Sequence, residues 1–195
     1  MRRLIPYIAL ALLVAEFVLI LLSWLLSAAL PASGVRSMLS GEGLRWLMGH
    51  FGDILATPQL SWILLLAIAI GCLNCCGLWR HSLPLTYRER HALLIGGGMF
   101  LLCVGAVLLL AFMPHAVLRS ATGELFPSPF SQSLFPILSF SLCVFSIVYG
   151  VIAGTFQSLR QVYDSLLYGI RRGAPVIFFY ILIIQLYESL LFVFG

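Results

Sequence analysis

Five apolar runs, each long enough to cross a bilayer, constrain this chain more than any other feature: Ile5–Leu30, Leu60–Leu78, Leu93–Phe112, Leu134–Phe156 and Ala174–Phe194. A spanning helix needs about 20 mostly apolar residues. Within lipid the backbone must satisfy its own polar groups, which leaves helices and closed barrels. The runs lack the alternating pattern of a barrel strand. The expected fold is therefore all-α, a polytopic membrane helix bundle. Charge agrees: only 9% of residues are charged, against about 25% in a typical soluble domain.

The first run begins with Arg2 and Arg3 and ends near Ala28, Ala29 and Ala32, as a cleavable signal would. Signal cores extend over about 7–15 residues. Ile5–Leu30 is longer and carries Glu16 in its middle, so it reads as the first span.

All eleven basic residues are arginines, and the net charge is +4. With the N-terminus inside, Arg2, Arg3, Arg80, Arg88, Arg90, Arg160, Arg171 and Arg172 face the cytoplasm; Arg36, Arg45 and Arg119 face outward. That asymmetry obeys the positive-inside rule and places the C-terminus outside. The charge records orientation in a bilayer and does not call for nucleic acid. A bacterial inner (cytoplasmic) membrane is the expected location.

Two connections carry helical periodicity. Leu44, Leu47, Met48, Phe51 and Leu55 share one face after Ser40, a suitable N-cap, with Glu42 in the first turn. This predicts an amphipathic helix on the outer interface, with Trp46 at headgroup level. Leu159, Val162, Tyr163, Leu166, Leu167 and Ile170 oppose Arg160, Gln161, Asp164, Ser165 and Arg172, which predicts an inner interfacial helix. Pro175 would then sit in the first turn of the last span. The segment "PHAVLRSATGELFPSPFSQS" is rich in turn formers and closes the return between the third and fourth spans. With no internal repeat or long linker, residues 1–195 read as a single membrane domain.

"GCLNCCGLWRH" gathers Cys72, Cys75 and Cys76 near His81. Zinc sites want two ligand pairs at controlled spacing. Here one C-x₂-C stands alone, and buried thiols pack as small hydrophobes. Packing is the expected role; metal and thiol chemistry are the alternatives. Ionisable groups at membrane depth cost about 2.5–3.5 kcal/mol on insertion scales unless paired or facing water. Glu16 is such a group, and Gln185 with Glu188 lie in the last span. Together they form the candidate intramembrane proton or polar site, with a hydrogen-bonded carboxyl at a helix contact as the structural alternative. Gly96, Gly97, Gly98 and the pair Gly150 and Gly154 are candidates for close helix packing. Phosphate-binding loops, zinc-protease motifs and nucleophile elbows are absent from the sequence. No catalytic residue, metal or cofactor is expected, and the chain does not read as an enzyme.

Five stretches in order resemble the p-aminobenzoyl-glutamate (AbgT) family of secondary transporters: "LSGEGLRWL", "TYRERHALL", "TGELFPSPF", "YGVIAGTFQS" and "APVIFFYILIIQL". "IGCLNCCGL" falls where that family has a small-residue helix ending in a charged pair, so the thiols look like substitutions on a framework helix. Members of that family are longer, and grip cargo with broken helices and re-entrant hairpins. Leu78 to Thr86 passes directly from second-helix-like to fifth-helix-like sequence, and no counterpart of either hairpin is found. The resemblance thus implies the framework and dimerisation helices, and it carries over no substrate-binding residue. A scaffold or accessory subunit is the first expectation, as a homodimer or beside a second membrane protein. A small proton-coupled transporter of p-aminobenzoyl-glutamate or antifolate-like aromatics is the alternative, and a thiol- or metal-dependent membrane enzyme ranks last.

Overall fold

The computed structural model describes residues 5–30, 34–78, 86–112 and 129–195. Among these it contains six helices: α1 (Ile5–Ala29), α2 (Gly41–Leu55), α3 (Pro58–Cys75), α4 (Tyr87–Phe112), α5 (Pro129–Ala153) and α6 (Leu159–Phe194). Five of them, all but α2, are long and apolar enough to cross a membrane. The protein is an all-helical membrane protein. His81 and most of the turn-rich segment before α5 lie outside the described residues.

Local chemistry explains the helix ends. Ser40 caps α2 by accepting the Gly43 N–H at 3.1 Å. Pro58, which has no N–H to leave unsatisfied, opens α3. Glu89 caps the start of α4, its Oε2 accepting the Thr86 N–H at 2.8 Å. Gly77 and Gly154 follow α3 and α5 with φ of 89° and 87°, left-handed conformations that glycine adopts without Cβ strain. Gln161 accepts the Gln157 N–H at 2.7 Å where α6 begins.

One element differs from the sequence expectation. The inner amphipathic segment and the last span are a single helix, α6, which continues through Pro175. Proline costs one backbone hydrogen bond and crowds the preceding turn. Gly169 and Gly173, just before it, pack closely against α3.

The chain forms two compact units, Met1–Leu60 with Pro175–Gly195, and Ser61–Ala174. In the first, α2 runs antiparallel to the end of α6. Trp46 stacks on Phe192 at 4.5 Å, while Thr57 Oγ1 and Tyr180 OH share a hydrogen bond of 2.7 Å. Met38, Phe192 and Val193 form the core there, with Ile20, Val35 and Leu47 packed around them. Ser23 ties the α1–α2 connection to α1, accepting the Met38 N–H at 3.1 Å. Much of α1 stays uncovered by its own chain, including Leu10, Val14, Phe17 and Leu21. A helix apolar all round belongs against lipid or another subunit. The expected lipid-facing stripe of α2 behaves likewise: Leu44, Met48 and Phe51 are exposed, and the buried residues are Gly43 and Ile54.

The second unit closes around Cys72, Cys76, Ala92, Tyr149 and Phe156. Tyr149 is fully buried, and its hydroxyl has no hydrogen-bond partner among the described residues. An unsatisfied buried hydroxyl costs about 1–3 kcal/mol. Tyr149→Phe is therefore expected to raise the unfolding midpoint in detergent; a lower midpoint would mean that the hydroxyl does have a partner.

Candidate functional site

Of the three polar residues expected within the spans, Glu16 and Gln185 are brought together in the first unit through Ser189. Glu16 is near the middle of α1, and α6 presents Ser189 and Gln185 toward it. Ser189 Oγ donates to Glu16 Oε1 at 2.6 Å. Gln185 Nε2 reaches Ser189 Oγ at 3.5 Å, the long end of a hydrogen bond. Ser189 is fully buried, and Glu16 Oε2 and Gln185 Oε1 are buried atoms without partners among the described residues. The result is a short polar relay of carboxyl, hydroxyl and amide crossing from α1 to α6. It can fix the register of the two helices, and its two unsatisfied oxygens can accept hydrogen bonds.

Ser189 joins this relay although a serine in an apolar run carries little signal of its own. Its signal was the four-residue spacing from Gln185, which puts both on one helical face. Glu188, one residue earlier, points elsewhere and lines a cavity with Arg36, Glu42 and Arg45.

The candidate glycines have diverse surroundings. A Cβ on Gly96 would lie 3.2 Å from the Phe145 ring, where α4 meets α5. Gly97 and Gly98 face open space. Gly150 lies under the ring of Phe156, and Gly154 under the guanidinium of Arg88. Arg88 Nε also donates to the Ile152 carbonyl at 2.6 Å, satisfying an orphan acceptor at the end of α5.

The closest backbone approach involves other residues. Gly169 and Gly173 on α6 face Ala67 and Gly71 on α3, and a Cβ on Gly71 would collide with the Gly169 backbone. The spacing on both helices is small-x-x-x-small, which lets backbones touch where lipid supplies no hydrophobic drive between helices. Cys72 belongs to this seam, its Sγ 3.5 Å from Ser165 Oγ. Cys76 Sγ donates to the Leu73 carbonyl at 3.0 Å. Both thiols are buried among apolar neighbours, and all five cysteines are free. Among the described residues, no three His, Cys, Asp or Glu side chains converge to hold a metal.

With this geometry in view, residues 79–191 of the 195 match the AbgT transporter family. The chain belongs to the AbgT transporter family. That match contains four of the five stretches that resembled the family, and leaves "LSGEGLRWL" and the cysteine-bearing end of α3 outside it. Within it lie α4, α5 and nearly all of α6, including Gln185 and Ser189. No curated protein and no solved structure matches the chain.

Proposed function

We propose that this AbgT-family chain is a membrane framework subunit, which associates with a second copy or with another membrane protein and does not carry cargo alone. The observation behind this reading is the character of its spans. Each described span is a continuous helix, and Glu16 in the first of them is engaged by Ser189. Transporters of this kind grip substrate and ion with interrupted helices, whose free backbone groups replace water. The uncovered apolar surface of α1 supplies the contact for lipid or partner. The arginine distribution supports an inner-membrane location, with the N-terminus cytoplasmic and the C-terminus outside. Nothing in this arrangement calls for enzymatic chemistry.

One observation favours a second reading, a small proton-coupled transporter of p-aminobenzoyl-glutamate or related aromatics. Among the described residues, Glu16 Oε2 and Gln185 Oε1 are unpaired acceptors facing the α1–α6 contact, as a proton or coupling-ion site would require. Reconstitution separates the two. Vesicles holding the purified protein and a pH gradient are expected to take up labelled p-aminobenzoyl-glutamate no faster than empty vesicles, with Glu16→Gln indistinguishable. Gradient-dependent uptake that disappears in Glu16→Gln would replace the framework reading with the transporter.

A further inference from the structure

Near the C-terminal end of α6, four charged side chains from three segments line one cavity of about 470 Å³. Arg36 comes from the α1–α2 connection, Glu42 and Arg45 from the start of α2, and Glu188 from α6. Trp46 and Phe192 form the apolar part of the wall. Opposite charges brought this close usually satisfy one another. Among the described residues, however, no ion pair joins any two of these four. Arg36 rests its guanidinium over the Phe192 ring at 6.0 Å, and its backbone N–H donates to the Val193 carbonyl at 3.1 Å. The cavity thus offers two open cations and two open anions side by side, with His50 at its margin.

We infer that this cavity holds the headgroup of a zwitterionic phospholipid bearing a primary ammonium. Its phosphate sits against Arg36 and Arg45, and its ammonium against Glu42 and Glu188. A guanidinium presents a planar donor fork that matches phosphate oxygens, and an ammonium offers three donors to carboxylates. A simple anion would be repelled by the two glutamates, and a simple cation by the two arginines. The site lies at the end of α6, a helix long and apolar enough to cross the membrane, and Leu191 with Trp46 and Phe192 gives it an apolar wall for acyl chains. That surface favours a lipid over a soluble zwitterion. Trp46 is the kind of amphipathic ring that anchors at headgroup level.

The test uses the full chain, delipidated in detergent and offered equal amounts of phosphatidylethanolamine, phosphatidylcholine and phosphatidylglycerol. Retained lipid is counted by native mass spectrometry. Phosphatidylethanolamine is expected to be held about tenfold more than either competitor, the ratio that one well-made charged contact yields. The choline lipid loses because its trimethylammonium has no N–H to give the carboxylates, and the glycerol lipid because it has no cation. The double variants Arg36→Ala/Arg45→Ala and Glu42→Ala/Glu188→Ala are each expected to abolish the preference. All four side chains are at least partly exposed, and circular dichroism checks that each variant stays helical. Equal or greater retention of phosphatidylglycerol by the unaltered protein would reduce the site to a cationic patch and overturn the inference. Displacement of the lipid by an equal concentration of free phosphoethanolamine would also overturn it, by showing a soluble ligand's site. A preference that survives both double variants would place the lipid elsewhere.

Discussion

Gly71→Ala and Gly169→Ala are each expected to destabilise the protein by about 3 kcal/mol, the upper range for overpacking a tight contact. At both positions the new Cβ would strike backbone: the Gly169 backbone in one case, the Ala67 carbonyl and Ile68 Cα in the other. Backbone cannot rotate aside as a side chain can, so α3 and α6 must separate. The seam also carries Cys72 and Ser165, whose contact would open with it. Gly97→Ala and Gly98→Ala provide the contrast, because nothing lies within 4 Å of a Cβ there. Alanine is favoured over glycine in a helix interior by about 1 kcal/mol, so these variants should match or exceed the parent. Unfolding in mild detergent, followed by circular dichroism, reads all four. Equal losses at all four positions would mean that glycine serves α3 and α6 through something other than this close approach.

Ser189→Ala is the second large effect, a loss of about 1–3 kcal/mol. Among the described residues, the variant removes the only donor to Glu16, leaving a carboxyl inside the α1–α6 contact with both oxygens unserved. The double variant Glu16→Leu/Ser189→Ala should recover most of that loss, since replacing both partners by apolar groups removes the desolvation penalty along with the bond. The framework role requires this recovery. A double variant as unstable as Ser189→Ala alone would show that the carboxyl has a further essential partner. In the same detergent, the recovered variant should also keep whatever oligomeric state the parent has.

Which features could be read from the sequence follows from the range of the physics behind them. Glu16, Gln185 and Glu188 stand out because an ionisable or polar group in an apolar run costs energy wherever the helices go. Which of them meet is a matter of helix rotation and register, and there Glu188 parts from the other two while Ser189 joins them. The glycines show the same division. The G-x-x-x-G of Gly150 and Gly154 was as visible as that of Gly169 and Gly173, yet the first lies at a helix end under Phe156 and Arg88, and the second forms the backbone seam. Gly169 was hidden by its neighbours, since the alternation of arginines and apolar residues around it resembles a surface helix.

The sequence by itself determined the class of molecule: the spans, the Ser40 cap and the membership in a transporter family. Each follows from local hydrophobicity, local hydrogen bonding or the order of motifs, which do not depend on the neighbours a helix finds. The tertiary structure alone decided that α6 runs unbroken through Pro175, that Ala67 and Gly71 receive Gly169 and Gly173, and that Arg36, Glu42, Arg45 and Glu188 face one cavity. Those outcomes depend on helices distant in the chain approaching to within a side chain's width, and in an apolar environment shape complementarity, more than hydrophobicity, selects the partner.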